Sequence, residues 1–214
     1  LPMPGAAFTG RAEKQVAGLS MTPGTFQLNR EAGVISMEGT FKQREGSGHF
    51  TFQPNRRFAE TMRSLGVGDG DGDGGEEWDH TSDGPYSDRR LFTMAIIDLS
   101  TRFVREMQAM GYHVGSHQMF KFRLFGVDPQ FVNDLRHLGY KDLTAAQLVK
   151  MRIHGVKPDY IREMQAAGFR GLSVEDLLKI RIHGATPKFI AEMRSLGFEG
   201  SSMEDFIRFR IHGI

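Results

Sequence analysis

An internal repeat constrains this chain more than any other feature. Phe122-Arg-Leu-Phe-Gly-Val-Asp-Pro, Met151-Arg-Ile-His-Gly-Val-Lys-Pro and Ile180-Arg-Ile-His-Gly-Ala-Thr-Pro begin 29 residues apart, and Phe209-Arg-Ile-His-Gly follows after another 29. Each opening leads to a second motif. The three copies read Phe131, Leu135, Gly139, Tyr140; Tyr160, Met164, Gly168, Phe169; and Phe189, Met193, Gly197, Phe198. Fixed self-similarity at this period marks an array in which each unit buries its apolar face against its neighbours.

Each unit reads as two helices. The first starts at a hydroxyl cap such as Thr144 or Ser173 and carries Leu177, Leu178 and Ile182 at helical spacing. It stops at His183-Gly184, where glycine accepts a left-handed backbone. Thr186-Pro187 and Asp128-Pro129 then place a capping oxygen before a first-turn proline, whereas Lys157-Pro158 keeps the proline without the cap. The second helix presents Phe189, Met193 and Leu196 as one stripe and ends at Gly197. Phe198 then folds back toward Met193, as Tyr140 does toward Leu135 and Phe169 toward Met164, in the hydrophobic contact of a Schellman ending.

The template extends backward. Phe103, Met107 and Gly111-Tyr112 form another second helix, preceded by a first helix at Ser87–Phe92, and Phe58, Met62 and Gly66 repeat the stripe and stop. Residues 67–86 therefore read as an insertion in an inter-repeat loop. From Gly66 to Asp88 there are eight acids and no Lys or Arg, which leaves +9 on the rest of a chain whose net charge is +1. A flexible acidic linker is the favoured reading of this Gly/Asp-rich segment. The alternative is a calcium- or ion-responsive sensor, since Asp69, Asp71 and Asp73 match the first ligand positions of an EF-hand-like loop. His80 replaces the bidentate glutamate of the twelfth position, which counts against it. Trp78, the single tryptophan, is a candidate anchor for a partner.

Before the helices the period changes to two. Phe26, Leu28, Ile35, Met37, Phe41, Phe50 and Phe52 alternate with mostly polar residues, and Gly33 and Glu45-Gly-Ser-Gly48 supply turns. This predicts a three-stranded antiparallel meander over residues 25–54, docked on the helix carrying Phe58 and Met62. Residues 1–24 read as an extended arm or partial strands, with an open sheet edge available for self-association. The expected fold is α+β and mainly α: a short N-terminal β-meander, then stacked two-helix repeats of about 29 residues over 55–214. The last helix, with Phe206, Ile207 and Phe209, lacks a companion and offers a second route to self-association.

The recurring polar residues invite function. His154, His183 and His212 lie about 8–10 Å apart if equivalent helices stack normally, too far to share a zinc ion, which holds nitrogen at roughly 2 Å. They read as structural: together with Arg152, Arg181 and Arg210 they oppose the negative end of the helix dipole and satisfy terminal carbonyls. Arg123, Arg152, Arg181 and Arg210 form one column, and Glu106, Asp134, Glu163 and Glu192 form another. Opposed columns predict a ladder of ion pairs along the stack; the competing reading is a phosphate- or nucleic-acid-binding arginine face. From Ser100 onward there are 17 basic and 12 acidic residues, a modest excess for that role. No zinc-protease, nucleophile-elbow or Walker motif is present, and zero cysteine excludes thiolate chemistry. No apolar run reaches the roughly 18 residues of a membrane span. The sequence thus predicts no enzyme and no cofactor.

The tandem Arg-Ile-His-Gly-(Val/Ala)-x-Pro units, together with Glu38-Gly-Thr-Phe41 and Gly48-His-Phe-Thr-Phe52 before them, resemble C-terminal regions of bacterial membrane metallopeptidases of the beta-lactam-sensor, antirepressor-cleaving type. The likeness runs from about Thr25 to the end and includes neither zinc motif nor membrane helices. It implies a non-catalytic, extracytoplasmic accessory or sensor-like region that engages a protein or peptide.

Overall fold

A computed structural model describes residues 8–12, 22–42, 45–68 and 84–213. Their contacts gather into two units, Leu1–Leu124 and Phe125–Ile214.

The first unit opens with an antiparallel sheet in the order β1 (Phe8–Ala12), β2 (Thr22–Arg30), β3 (Gly33–Lys42), β4 (Glu45–Pro54). The meander read from alternation is present, and Phe8–Ala12 extends it by a fourth strand along β2. Arg30 pairs with Gly33, which leaves Glu31-Ala32 as a two-residue turn. Gly33 has φ +154°, and a Cβ there would stand 2.5 Å from the Gln53 carbonyl and the Phe52 ring. No side chain fits that approach. Helices α1 (Arg56–Ser64), α2 (Asp88–Ile96), α3 (Thr101–Ala109) and α4 (Ser116–Phe125) follow.

The sheet was expected to dock on the helix carrying Phe58 and Met62. It packs instead on α2, where Phe92 stacks on Phe50 at 5.2 Å and meets Phe52 edge-on at 5.4 Å. The reason is chain continuity: α1 leaves β4 through Asn55 and packs against α3, burying Phe58 and Met62. The hairpin tip locks this arrangement. Asn55 caps α1 with its side-chain oxygen, while its side-chain and backbone N–H groups donate to the Glu31 and Ala32 carbonyls. Glu31 in turn accepts from the Thr101 amide at the start of α3 (2.9 Å). The ends of the insertion also belong to the core rather than to a loop. Val67 and Tyr86 are buried, and the Tyr86 hydroxyl donates to the Val67 carbonyl.

The second unit consists of α5 (Pro129–His137), α6 (Ala145–Ile153), α7 (Pro158–Ala166), α8 (Val174–His183), α9 (Pro187–Ser195) and α10 (Met203–His212). Their starts follow the predicted chemistry. Thr144, Ser173 and Ser202 form reciprocal capping boxes, Asp128 and Thr186 cap ahead of proline, and Lys157 gives no side-chain cap. The Schellman endings form as well: the amides of Tyr140, Phe169 and Phe198 donate to the carbonyls of Leu135, Met164 and Met193, around Gly139, Gly168 and Gly197 at φ +99°, +92° and +97°. First helices pack in the row α6, α8, α10, and α5 packs on α7.

Burial differs from expectation at four residues. Leu196 is 71% exposed, because the Met193 turn already seats the stripe and the helix ends beyond it. Ile182 is exposed, since Leu177, Leu178 and Ile180 supply the buried face of α8. Phe206 and Ile207, expected to lie partly open, are fully covered, with Phe206 edge-on to Phe169 at 6.0 Å. Phe209, expected open with them, is half-buried, and Ile211 on the same helix is 56% exposed.

Tyr160 takes the place held by phenylalanine at 131 and 189, and its buried hydroxyl has no hydrogen-bond partner among the described residues. Burial pushes this phenol up to about 12, against the opposing charge of Arg181. An orphaned hydroxyl costs about 1–3 kcal/mol. Tyr160→Phe should therefore raise the urea midpoint by the equivalent of about 1–2 kcal/mol. The pH dependence has a definite sign: the unfolded tyrosine loses its proton near its ordinary value while the folded one keeps it. Stability accordingly falls as pH climbs from about 10 to about 12. Tyr160→Phe should flatten that alkaline limb without abolishing it, because burial and the charge of Asp176 also raise Tyr140. Urea melts of both proteins across this range check the expectation, and an unchanged or lowered midpoint would contradict it.

Candidate interaction surface

The last four carbonyls of a helix lack intrahelical partners. Here several receive donors from the following repeat. Arg123 Nε donates to the Ile97 carbonyl and Arg152 Nε to that of Phe125, both at 3.2 Å. The second helices use the same device: Gln108 reaches the Leu65 carbonyl and Arg194 the Ala167 carbonyl, both at 2.7 Å. Each motif arginine also lies over the ring of a second helix. The guanidinium carbons of Arg123, Arg152, Arg181 and Arg210 sit 5.1, 4.6, 5.0 and 4.9 Å from the centroids of Phe103, Phe131, Tyr160 and Phe189.

This arrangement corrects the predicted ion-pair ladder. Among the described residues the acidic column pairs locally: Glu106 with Arg102, Glu192 with Lys188, and Asp134 with the Gln130 amide. Glu163 is exposed. The acids sit one turn along the second helices, within reach of their own i−4 neighbours, whereas the arginines bend over the preceding helix end. Among the described residues Arg123 alone in its column meets a carboxylate, Asp98 at 3.6 Å. Asp98 occupies the place of the motif glycine with φ +57° and also pairs with the nearly buried Arg30 at 3.3 Å.

The same geometry brings Arg152, Arg181 and Arg210 close to the motif glycine of the preceding unit. A Cβ on Gly126 would stand 2.6 Å from Arg152 Nη2, and equivalent atoms on Gly155 and Gly184 would meet Arg181 and Arg210 at 3.4 and 3.5 Å. At Gly126 this leaves room for the arginine of the next unit; at Gly155 and Gly184 the contact would be an ordinary one, and the left-handed backbone is what selects glycine. With a face on a ring, and in two cases Nε on a carbonyl, the arginines are tied into the fold in a way that suits a phosphate-binding column poorly.

His154, His183 and His212 lie exposed at the ends of α6, α8 and α10. Among the described residues they make no side-chain hydrogen bond to a terminal carbonyl; the arginine–carbonyl bonds fall at the ends of α2, α4 and α7. Among the described residues no three His, Asp or Glu side chains are placed to share a metal. Asp69, Asp71, Asp73 and Trp78, the calcium and anchor candidates, lie outside the described residues. Beside each imidazole stands a residue that the sequence reading placed wrongly or passed over. Ile153, Ile182 and Ile211 are 51%, 57% and 56% exposed, and Ile96 holds the equivalent place in the first unit at 41%. The sequence carries the signal: an aliphatic residue at a constant period, two residues beyond the buried Met151 and Ile180.

Comparison with known protein families, curated proteins and solved structures finds no match for this chain. Among the described residues no helix is long and apolar enough to cross a membrane.

The joint gives a direct prediction. Arg152→Ala removes a partly buried ring contact and a charged hydrogen bond, and should destabilise by about 1–3 kcal/mol in urea denaturation followed by circular dichroism. Arg152→Lys should recover less than half of that, because an ammonium cannot stack while donating sideways. Raising NaCl to about 1 M, where exposed pairs are screened, should leave the loss unchanged. A loss that disappears in salt would restore the acid ladder.

Proposed function

We propose that this chain is a non-catalytic interaction module that uses the first-helix row of its repeats to engage a protein or peptide. One observation carries the reading: isoleucine is exposed by more than half in three successive copies. Ile153 and Ile182 remain open although a further repeat follows each of them, so their exposure is not the trivial property of an array's end. An aliphatic residue held in register, with the scaffolding work done by arginine, glycine and the buried stripe, fits a recognition surface. The resemblance of the repeats to C-terminal regions of beta-lactam-sensor-type membrane metallopeptidases supports placing the module as an extracytoplasmic accessory region of such a protein.

Selection of a random-peptide display library on the immobilised full chain tests this. Enriched peptides should compete with one another, lose binding to the Ile153→Ser, Ile182→Ser, Ile211→Ser triple variant, and retain it when Arg162 and Lys188 on the second helices become alanine. A library that yields no enriched binder, or binders indifferent to the isoleucines, would overturn the reading.

A further inference from the structure

The isoleucine column has a definite electrical setting. The first turns of α8 and α10 carry Glu175, Asp176, Glu204 and Asp205, whereas their last turns carry only basic groups and histidine. From Lys150 to Lys157, Lys179 to Thr186 and Arg208 to Gly213 there are seven Lys or Arg and no acid. Lys150, Lys179 and Arg208, one turn before each isoleucine, are exposed. Lys179 stands 3.5 Å from Glu204 and Arg208 3.8 Å from Asp205, so part of their charge is already met. The imidazoles, in contrast, take no side-chain hydrogen bond among the described residues. The column is thus a line of aliphatic side chains edged by positive charge and by polar groups without a structural task.

Its spacing selects the conformation of an occupant. Adjacent packed helices stand about 8–10 Å apart, so equivalent isoleucines recur at about that interval. A β-strand repeats a face every 6.6 Å or so, which falls out of step after one repeat. A polyproline II segment rises about 3.1 Å per residue and turns every three, placing one side chain on a given face about every 9.3 Å. It also leaves its carbonyls without internal partners, free to accept from one imidazole per repeat. An α-helix would match at seven-residue intervals, yet it keeps its carbonyls to itself and presents a stripe wider than one side chain.

We infer that the isoleucine column of α6, α8 and α10 binds an acidic, extended polypeptide in the polyproline II conformation, with an aliphatic residue at every third position. This rests on the interaction-module reading and specifies its partner. Leucines of the ligand sit between successive isoleucines, and its acids face the basic edge.

The test uses the full chain and a fluorescein-labelled peptide of four Leu-Glu-Pro triplets, followed by anisotropy. The triplet peptide should bind at least about tenfold more tightly, or about 1.4 kcal/mol, than a peptide of the same composition with its leucines shuffled, and than the Leu-Lys-Pro counterpart. Ile182→Ser, whose thermal melt should match the parent because the side chain is exposed, should weaken binding by about tenfold, and so should a rise in salt. Equal binding of the shuffled peptide, or indifference to Ile182→Ser, would overturn the inference. So would retention of the chain only on phosphatidylserine vesicles. If library-selected peptides bind the isoleucine face while the triplet peptide does not, the partner chemistry falls and the interaction module stands.

Discussion

The joint between one repeat and the next rests on the end of a helix, where carbonyls without internal partners meet a cation held over an aromatic ring. A helix of nine or ten residues is too short to persist alone in water, so these elements exist only because neighbours cover them. Apolar burial provides most of that cover, but it is tolerant of sliding. The motif arginine is not, since its ring and, at Arg123 and Arg152, its carbonyl leave it one position. Glycine at the preceding helix end is set by its left-handed backbone, and at Gly126 also by the space the arginine takes. Arg-x-x-Gly is therefore one half of each of two joints rather than one local motif.

The sheet enters the first unit through polar contacts of the same kind. The Glu31-Ala32 turn supplies acceptors to Asn55 and to the amide at the start of α3, and Arg30 reaches Asp98. Where later repeats have glycine, Asp98 takes the left-handed backbone and meets two arginines. A carboxylate at this point offsets a pair of cations that lie largely out of solvent, a compensation unnecessary at Gly126, Gly155 or Gly184.

The surface of the second unit follows from this division of labour. Because arginine and glycine hold the helix ends and alternate positions fill the core, isoleucine and histidine are left free in register. A column arises without any residue having to leave the stack.

Most of the local architecture was legible in the sequence: the period, the helix starts at Thr144 and Ser173, the unaided start at Lys157, and the glycine stops with their aromatic return. Each depends on chemistry within a few residues, where spacing along the chain is spacing in space. The pairing of the β-meander was legible for the same reason, its alternation and turns being local, while the strand at Phe8–Ala12 depended on finding β2. What tertiary structure alone decided was which long side chain reached across a repeat. Arginine and glutamate columns of equal period looked matched, but reach and direction sent Arg152 to a ring and a carbonyl and Glu192 to its own helix. Likewise Ile182 and Ile180 are equally apolar, and only the direction in which α8 faces its neighbours buried one and exposed the other. Periodicity names the residues of a face; the packing of neighbours decides which face is inside.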